Sequence, residues 1–201
     1  MLSIDCEMTG LDPKKNAIIS IGGVDMSDPD RTFYGECCVW PEAELDPSGL
    51  AVNGFTEPEC RDATKQSEKE LMSALHAWIL ESDEHTLLGQ NVYTDREFLN
   101  ESFIRSGIDF KFNHRIIDTH SVAYAEHLRA GKVVPHKYEA HTESALNLDK
   151  ILQSVGIPEE PRPHNALTGA KVSAEAFHRM VYKEKFLSDF DIYDIPTDYI
   201  C

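Results

Sequence analysis

Two carboxylates separated by a single residue, Asp5 and Glu7, close the apolar segment at residues 2–6. In a β-strand, residues i and i+2 share a face, so these acids would stand side by side at the strand's end. Like charges that close are unfavourable unless something positive lies between them. A divalent cation is the natural partner, and carboxylate oxygens select Mg2+ or Mn2+ over softer metals. Asp-x-Glu alone is a weak signal, because a solvated strand end reads the same way. The stretch that follows it, Met8-Thr9-Gly10-Leu11-Asp12-Pro13, adds weight.

Other chemistries fare worse. His136 and His141 sit with Lys132 and Lys137 in the one locally basic loop, which reads as a phosphate contact or, more simply, as a solvated loop. Their spacing of five does not fit the His-Glu-x-x-His pattern of a zinc protease. Cys6, Cys37, Cys38, Cys60 and Cys201 make an odd count without a Cys-x-x-Cys pair. They read as reduced, mostly buried thiols of a cytoplasmic protein, and a zinc site is unsupported.

The elements that must position the acids follow from pattern. Strands are expected at 2–6, 17–25, 32–40, 86–89 and 115–118, with a turn at 27–30. Helical spacing marks 67–80, 95–104, 119–128, 144–155 and 166–185, the fourth of these stopped by Gly156 and Pro158. Residues 41–66 carry little periodicity and read as loops, and 131–142 as an irregular stretch. Strands come first and then alternate with helices, which predicts one α/β domain with a mixed sheet flanked by helices. The domain proper is placed at 1–187 and an acidic, partly aromatic tail at 188–201, expected to pack on the domain's own surface or to dock on a partner.

The chain has 201 residues, 35 acidic against 19 basic, for a net charge of -16. At 41% hydrophobic and 27% charged it has the composition of a soluble globular domain. No apolar run reaches the roughly 18 residues of a membrane span, and the amino terminus lacks the basic flank of a signal peptide. The acidic balance excludes a protein that grips DNA by a broad cationic surface. A surface of that charge repels long polyanions at low salt.

The segment Ile4-Asp5-Cys6-Glu7-Met8-Thr9-Gly10-Leu11-Asp12-Pro13, followed by Ile18-Ile19-Ser20-Ile21-Gly22, resembles the first motif of the Asp-Glu-Asp-Asp-His 3′–5′ exonuclease superfamily. That superfamily includes the proofreading subunit of bacterial DNA polymerase III, ribonuclease T and oligoribonuclease. Gly89-Gln90-Asn91-Val92-Tyr93-Thr94-Asp95 with Phe98-Leu99 resembles its second motif, with Thr94 where Phe is usual. Asn53-Gly54-Phe55-Thr56 resembles its His-Gly-Ile-Thr turn, Asp118-Thr119 its Asp-Thr strand end and Gly156-Ile157-Pro158 its Gly-Ile-Pro segment. The third motif departs: in His164-Asn165-Ala166-Leu167-Thr168-Gly169-Ala170, Gly169 stands where the last Asp belongs. No substitute is evident, since Glu175 lies about 240° around a helix from position 169 and the Thr168 hydroxyl is a much poorer ligand.

The resemblance implies a ribonuclease H-like fold and two Mg2+ or Mn2+ ions about 4 Å apart clamping a scissile phosphate. It makes Asp5 the bridging ligand, Glu7 and Asp95 ligands of one ion each, and His164 the general base, a task suited to an imidazole. It implies substrate contacts for Met8, Thr9, Leu11 and Asn91, and a nucleoside 5′-monophosphate as product. With one ligand missing at Gly169, activity is expected to be attenuated, and Gly169→Asp to restore it. The alternative is a catalytically silent exonuclease-like domain that binds nucleic-acid ends or a protein partner. DNA and RNA are both left open as substrates, as is oligomeric state, with a homodimer the arrangement of many relatives.

Overall fold

A computed structural model describes residues 1–136 and 143–197; Lys137, His141 and Cys201 lie outside the described residues. A mixed five-stranded sheet carries the molecule, in the order β3-β2-β1-β4-β5. β1 (Leu2–Met8), the central strand, pairs antiparallel with β2 (Ile18–Asp25), which pairs antiparallel with β3 (Asp28–Glu36). β4 (Leu87–Gly89) runs parallel to β1, and β5 (Ile116–Asp118) parallel to β4. Around the sheet lie α1 (Pro47–Asn53), α2 (Glu57–Cys60), α3 (Glu68–Leu80), α4 (Tyr93–Ser106), α5 (Thr119–Arg129), α6 (Leu148–Ser154) and α7 (Ala166–Tyr182).

Strand alternation divides β1 between two jobs. Leu2, Ile4 and Cys6 enter the main core with Leu71, Leu75 and Ile79 of α3 and Phe98, Leu99 and Phe103 of α4. Ser3 and Asp5 face α7, where the Ser3 hydroxyl donates to the Ala170 carbonyl at 2.8 Å. α7 approaches so closely because Gly22 of β2 lies under its first turn: a Cβ there would run into the Ala166 carbonyl. Backbone cannot step aside cheaply, so Gly22→Ala is expected to destabilise the protein by about 1–3 kcal/mol or more, read as a lowered urea midpoint at unchanged m-value.

The register explains where the acids end up. β1 is matched to β4 only at Leu2↔Leu87 and Ser3↔Leu88, while its ladder with β2 continues through Glu7↔Ser20. From Asp5 onward, one edge of β1 therefore lacks a strand neighbour, and α4 supplies the missing acceptor.

Three expectations need correction. The region read as loops at 41–66 contains α1 and α2. Asp46 caps α1 by accepting from the Ser48 N–H at 2.8 Å, and Thr56 with Glu59 forms a capping box on α2. β3 starts at Asp28 rather than 32, so Asp28 and Pro29 are strand and only Met26-Ser27 turn; the proline is tolerated because β3 is an edge strand whose outer N–H groups need no partner. The fourth helix begins at Leu148, not 144, capped by Asn147 accepting from the Lys150 N–H at 3.1 Å.

Glu175 is not a spare ligand. It is buried beside Arg179, whose Nε donates to Glu175 Oε1 at 2.6 Å, while Glu175 Oε2 accepts from the Phe186 and Leu187 N–H groups at 2.9 and 2.7 Å. The guanidinium also donates to the carbonyls of Val155, Phe190 and Tyr193, which fastens the segment after α7 to α6 and α7. Among the described residues, no helix is long and apolar enough to cross a membrane.

Candidate active site

Asp5 and Glu7 lie on the overhanging end of β1, Glu7 buried and Asp5 half-buried. Asp95, buried in the first turn of α4, is tied to the same strand: its Oδ1 accepts from the Cys6 N–H at 2.9 Å. The segment holding Asp95, distant in sequence, is thus hydrogen-bonded to β1 directly between its two acids. His164 arrives from the loop ahead of α7, one residue before Asn165, whose side chain caps the helix by accepting from Leu167 and Thr168 N–H groups. Its backbone N–H donates to the Val52 carbonyl at 3.4 Å. The Asn53-Gly54 turn joins this loop to β1, since Asn53 donates to the Met8 carbonyl at 3.1 Å and Gly54 turns with φ 76° against Pro163.

A further acid joins them that pattern reasoning did not find. Glu160 lies on the same loop, four residues before His164, and is only 8% exposed. Its Oε2 stands 3.8 Å from His164 Nδ1. Its Oε1 is buried and, among the described residues, has no hydrogen-bond partner.

The electrostatics tie these groups into one neighbourhood. Asp5 is held well above the usual carboxylate range by burial and then by the charges of Asp95, Glu7 and Glu160. Glu7 is pushed up to about 7 by burial, with Glu160 the largest neighbouring charge and Asp95 the next. Asp95 is also raised to about 7 by burial, against the N–H of Cys6, which favours its ionised form. Glu160 is raised by burial, against the His164 imidazole and the Asn165 N–H. Buried carboxylates that raise one another this way are a surplus of negative charge that a hard cation would relieve.

Oxygen donors with raised affinity for positive charge fit Mg2+ or Mn2+, and the unpartnered Glu160 oxygen adds a free donor atom. Among the described residues, no group of three or more His, Cys, Asp or Glu side chains is drawn in to closed metal-ligand spacing. What fits a cation is the donor chemistry and the shared neighbourhood, not a finished cage.

Gly169 takes on a packing meaning. A Cβ built there would come 2.7 Å from Asp5 Cγ and 3.3 Å from Asp5 Cβ, so the Asp5 carboxylate lies against the bare backbone of α7. A side chain at 169, the aspartate of Gly169→Asp included, requires the Asp5 carboxylate to turn aside from its place against α7.

The remaining residues divide. Glu7, Met8, Leu11, Val52 and Asn53 line a cavity of about 340 Å³ beside the acids, and Leu11 is 84% exposed at its lip. Thr9 is not on that wall. It is buried, its hydroxyl donates to the Glu44 carbonyl at 2.7 Å and accepts from the Ala17 N–H at 2.9 Å, and it holds the turn after β1 in shape. Asn91, in the left-handed region with φ 52°, lines a separate cavity of about 510 Å³ with Gln90, His120 and His136.

A family model described as an exonuclease, RNase_T, matches residues 2–177. The chain belongs to that exonuclease family, and its fold is the ribonuclease H-like fold of its structural neighbours. It is 25% identical over 178 residues to a PolC-type DNA polymerase III of Thermotoga petrophila, a match covering 89% of this chain and 12% of the polymerase. The chain thus spans about an eighth of the length of that curated relative. Among solved structures it is similar to the nuclease domain of 3′hExo, a DEDDh family member bound to rAMP, with a TM-score of 0.65 at 19% identity over 92% of each chain. It is likewise similar to Escherichia coli exonuclease I in complex with an oligonucleotide, with a TM-score of 0.69 at 16% identity over 90% of this chain and 41% of that one.

Proposed function

We propose that this chain is a Mg2+- or Mn2+-dependent 3′–5′ exonuclease that releases nucleoside 5′-monophosphates from single-stranded or short DNA or RNA. The observation that supports this reading is the hydrogen bond from the Cys6 N–H to Asp95, which ties Asp95 to the open end of β1 between Asp5 and Glu7. Divalent ions held there would polarise a phosphate and lower the pKa of bound water. Asp5, Glu7 and Asp95 would hold them. His164 would take the proton of the attacking water; with Nδ1 turned toward Glu160, Nε2 is the nitrogen left for that task. Met8 would wall the terminal-nucleotide cavity, with Leu11 an apolar wedge at its lip. The oligonucleotide in the exonuclease I complex supports a nucleic-acid substrate, and the net charge of -16 favours short ends over long duplexes.

Gly169 favours a second reading, a silent domain that binds nucleic-acid ends or a protein partner. A single-turnover assay with a single-stranded oligonucleotide, Mn2+ and the chain at excess separates the two. The exonuclease reading expects stepwise shortening from the 3′ end, 5′-mononucleotide as product and arrest by EDTA. An intact substrate, bound equally by wild type and Asp5→Asn, would establish the silent domain instead.

A further inference from the structure

Position 169 offers no carboxylate, and the Asp5 carboxylate lies against its bare backbone. Yet the neighbourhood does not lack a further acid. Glu160 is 8% exposed although glutamate is rarely buried without a partner. One of its oxygens faces His164 Nδ1 at 3.8 Å; the other is buried with no hydrogen-bond partner among the described residues. A buried carboxylate oxygen left unpaired costs free energy, and persists in a fold when another group completes it. Neighbouring Glu159 is exposed and donates nothing to the site, so the loop turns one of two adjacent acids inward.

We propose that Glu160 takes over the ligand position vacated at Gly169, using Oε1 for the cation shared with Asp5 and Glu7 while Oε2 orients His164. This inference rests on the exonuclease reading above. The carboxylate thereby reaches the site from the loop before α7 instead of from α7 itself, leaving Asp5 its place against Gly169.

The test is calorimetric titration of Mn2+ into the full chain, without substrate, for wild type, Glu160→Gln, Glu160→Asp, Glu159→Gln and Asp5→Asn, each checked for folding by circular dichroism. Glu160→Gln is expected to lose one Mn2+ site or to weaken it at least about 10–100-fold, the lower bound set by outer-sphere changes. Glu160→Asp, which keeps the charge, is expected to recover part of that loss, and Glu159→Gln to titrate as wild type. Equal Mn2+ titrations for wild type and both Glu160 variants, with a shifted pH–rate profile or without one, would overturn the ligand role. In that outcome loss of binding in Asp5→Asn keeps the underlying reading intact. A wild-type chain that takes up no Mn2+ would overturn both.

Discussion

Asp5→Asn is expected to reduce exonuclease turnover by well over 100-fold while leaving the fold intact. Its carboxylate is half-buried between β1 and α7, where the charges of Asp95, Glu7 and Glu160 all act on it. Losing an outer-sphere group at a metal site typically costs 10–100-fold, and a ligand at the centre of the set should cost more. The loss should appear in kcat and not be recovered by substrate concentration, because the interaction belongs to the transition state. His164→Ala is expected to cost about 10²–10⁴-fold, the range of a single general base. Thr9→Val, by contrast, should act on stability: its hydroxyl serves the Ala17 N–H and the Glu44 carbonyl, not the cavity. Single-turnover rates with matched circular dichroism check all three, and an Asp5→Asn protein that degrades substrate at the wild-type rate would remove the acid from the chemistry.

The second large effect is on stability, and it runs opposite to the usual behaviour of surface carboxylates. Glu7 sits at about 7 in the fold against an ordinary 4.5, raised by burial and by Glu160 and Asp95; Asp95 shifts in the same direction. Between those values the folded chain keeps a proton that the unfolded chain has released. Unfolding free energy must then fall as pH rises through the window, the Glu7 contribution being fully present below its unfolded pKa and gone above about 7. At about 1.4 kcal/mol per pH unit this amounts to roughly 2–4 kcal/mol. Glu7→Gln should therefore raise Tm at pH 8 and flatten its pH dependence. Mn2+ should also raise Tm, and more at pH 8 than at pH 5, because protonated carboxylates bind cations poorly. Scanning calorimetry from pH 5 to 8, with and without Mn2+, reads both; a wild-type Tm that climbs with pH and ignores Mn2+ would contradict the acidic pocket.

The parts of the site that could be read from sequence are those governed by short-range periodicity or by ordered motifs. Asp5 and Glu7 share a neighbourhood because a strand repeats every two residues, and Asp95 falls in the first turn of α4, the helix whose spacing was visible in Phe98, Leu99 and Phe103. The sheet's central strand and the final helix were likewise visible. Glu160 was hidden because it lies in Pro158-Glu159-Glu160-Pro161, a segment without a period. Nothing local tells which of two adjacent glutamates turns inward; that is decided by the path of the loop between α6 and α7. α1 and α2 were missed for the opposite reason. They are too short for periodicity, at seven and four residues, and only their caps, Asp46 before Pro47 and the Thr56–Glu59 box, announce them. The packing role of Gly169 depends on a contact with Asp5 across 164 residues of sequence, which no local pattern encodes.

The most direct test of the acidic pocket is a crystal structure of the chain soaked in Mn2+ and a nucleoside 5′-monophosphate. Anomalous density bound by Asp5 together with Glu7 or Asp95, with the nucleotide phosphate on it and the base in the cavity beside Met8 and Leu11, is the predicted result. Mn2+ bound elsewhere, with those carboxylates pointing apart and the nucleotide away from β1, would contradict it.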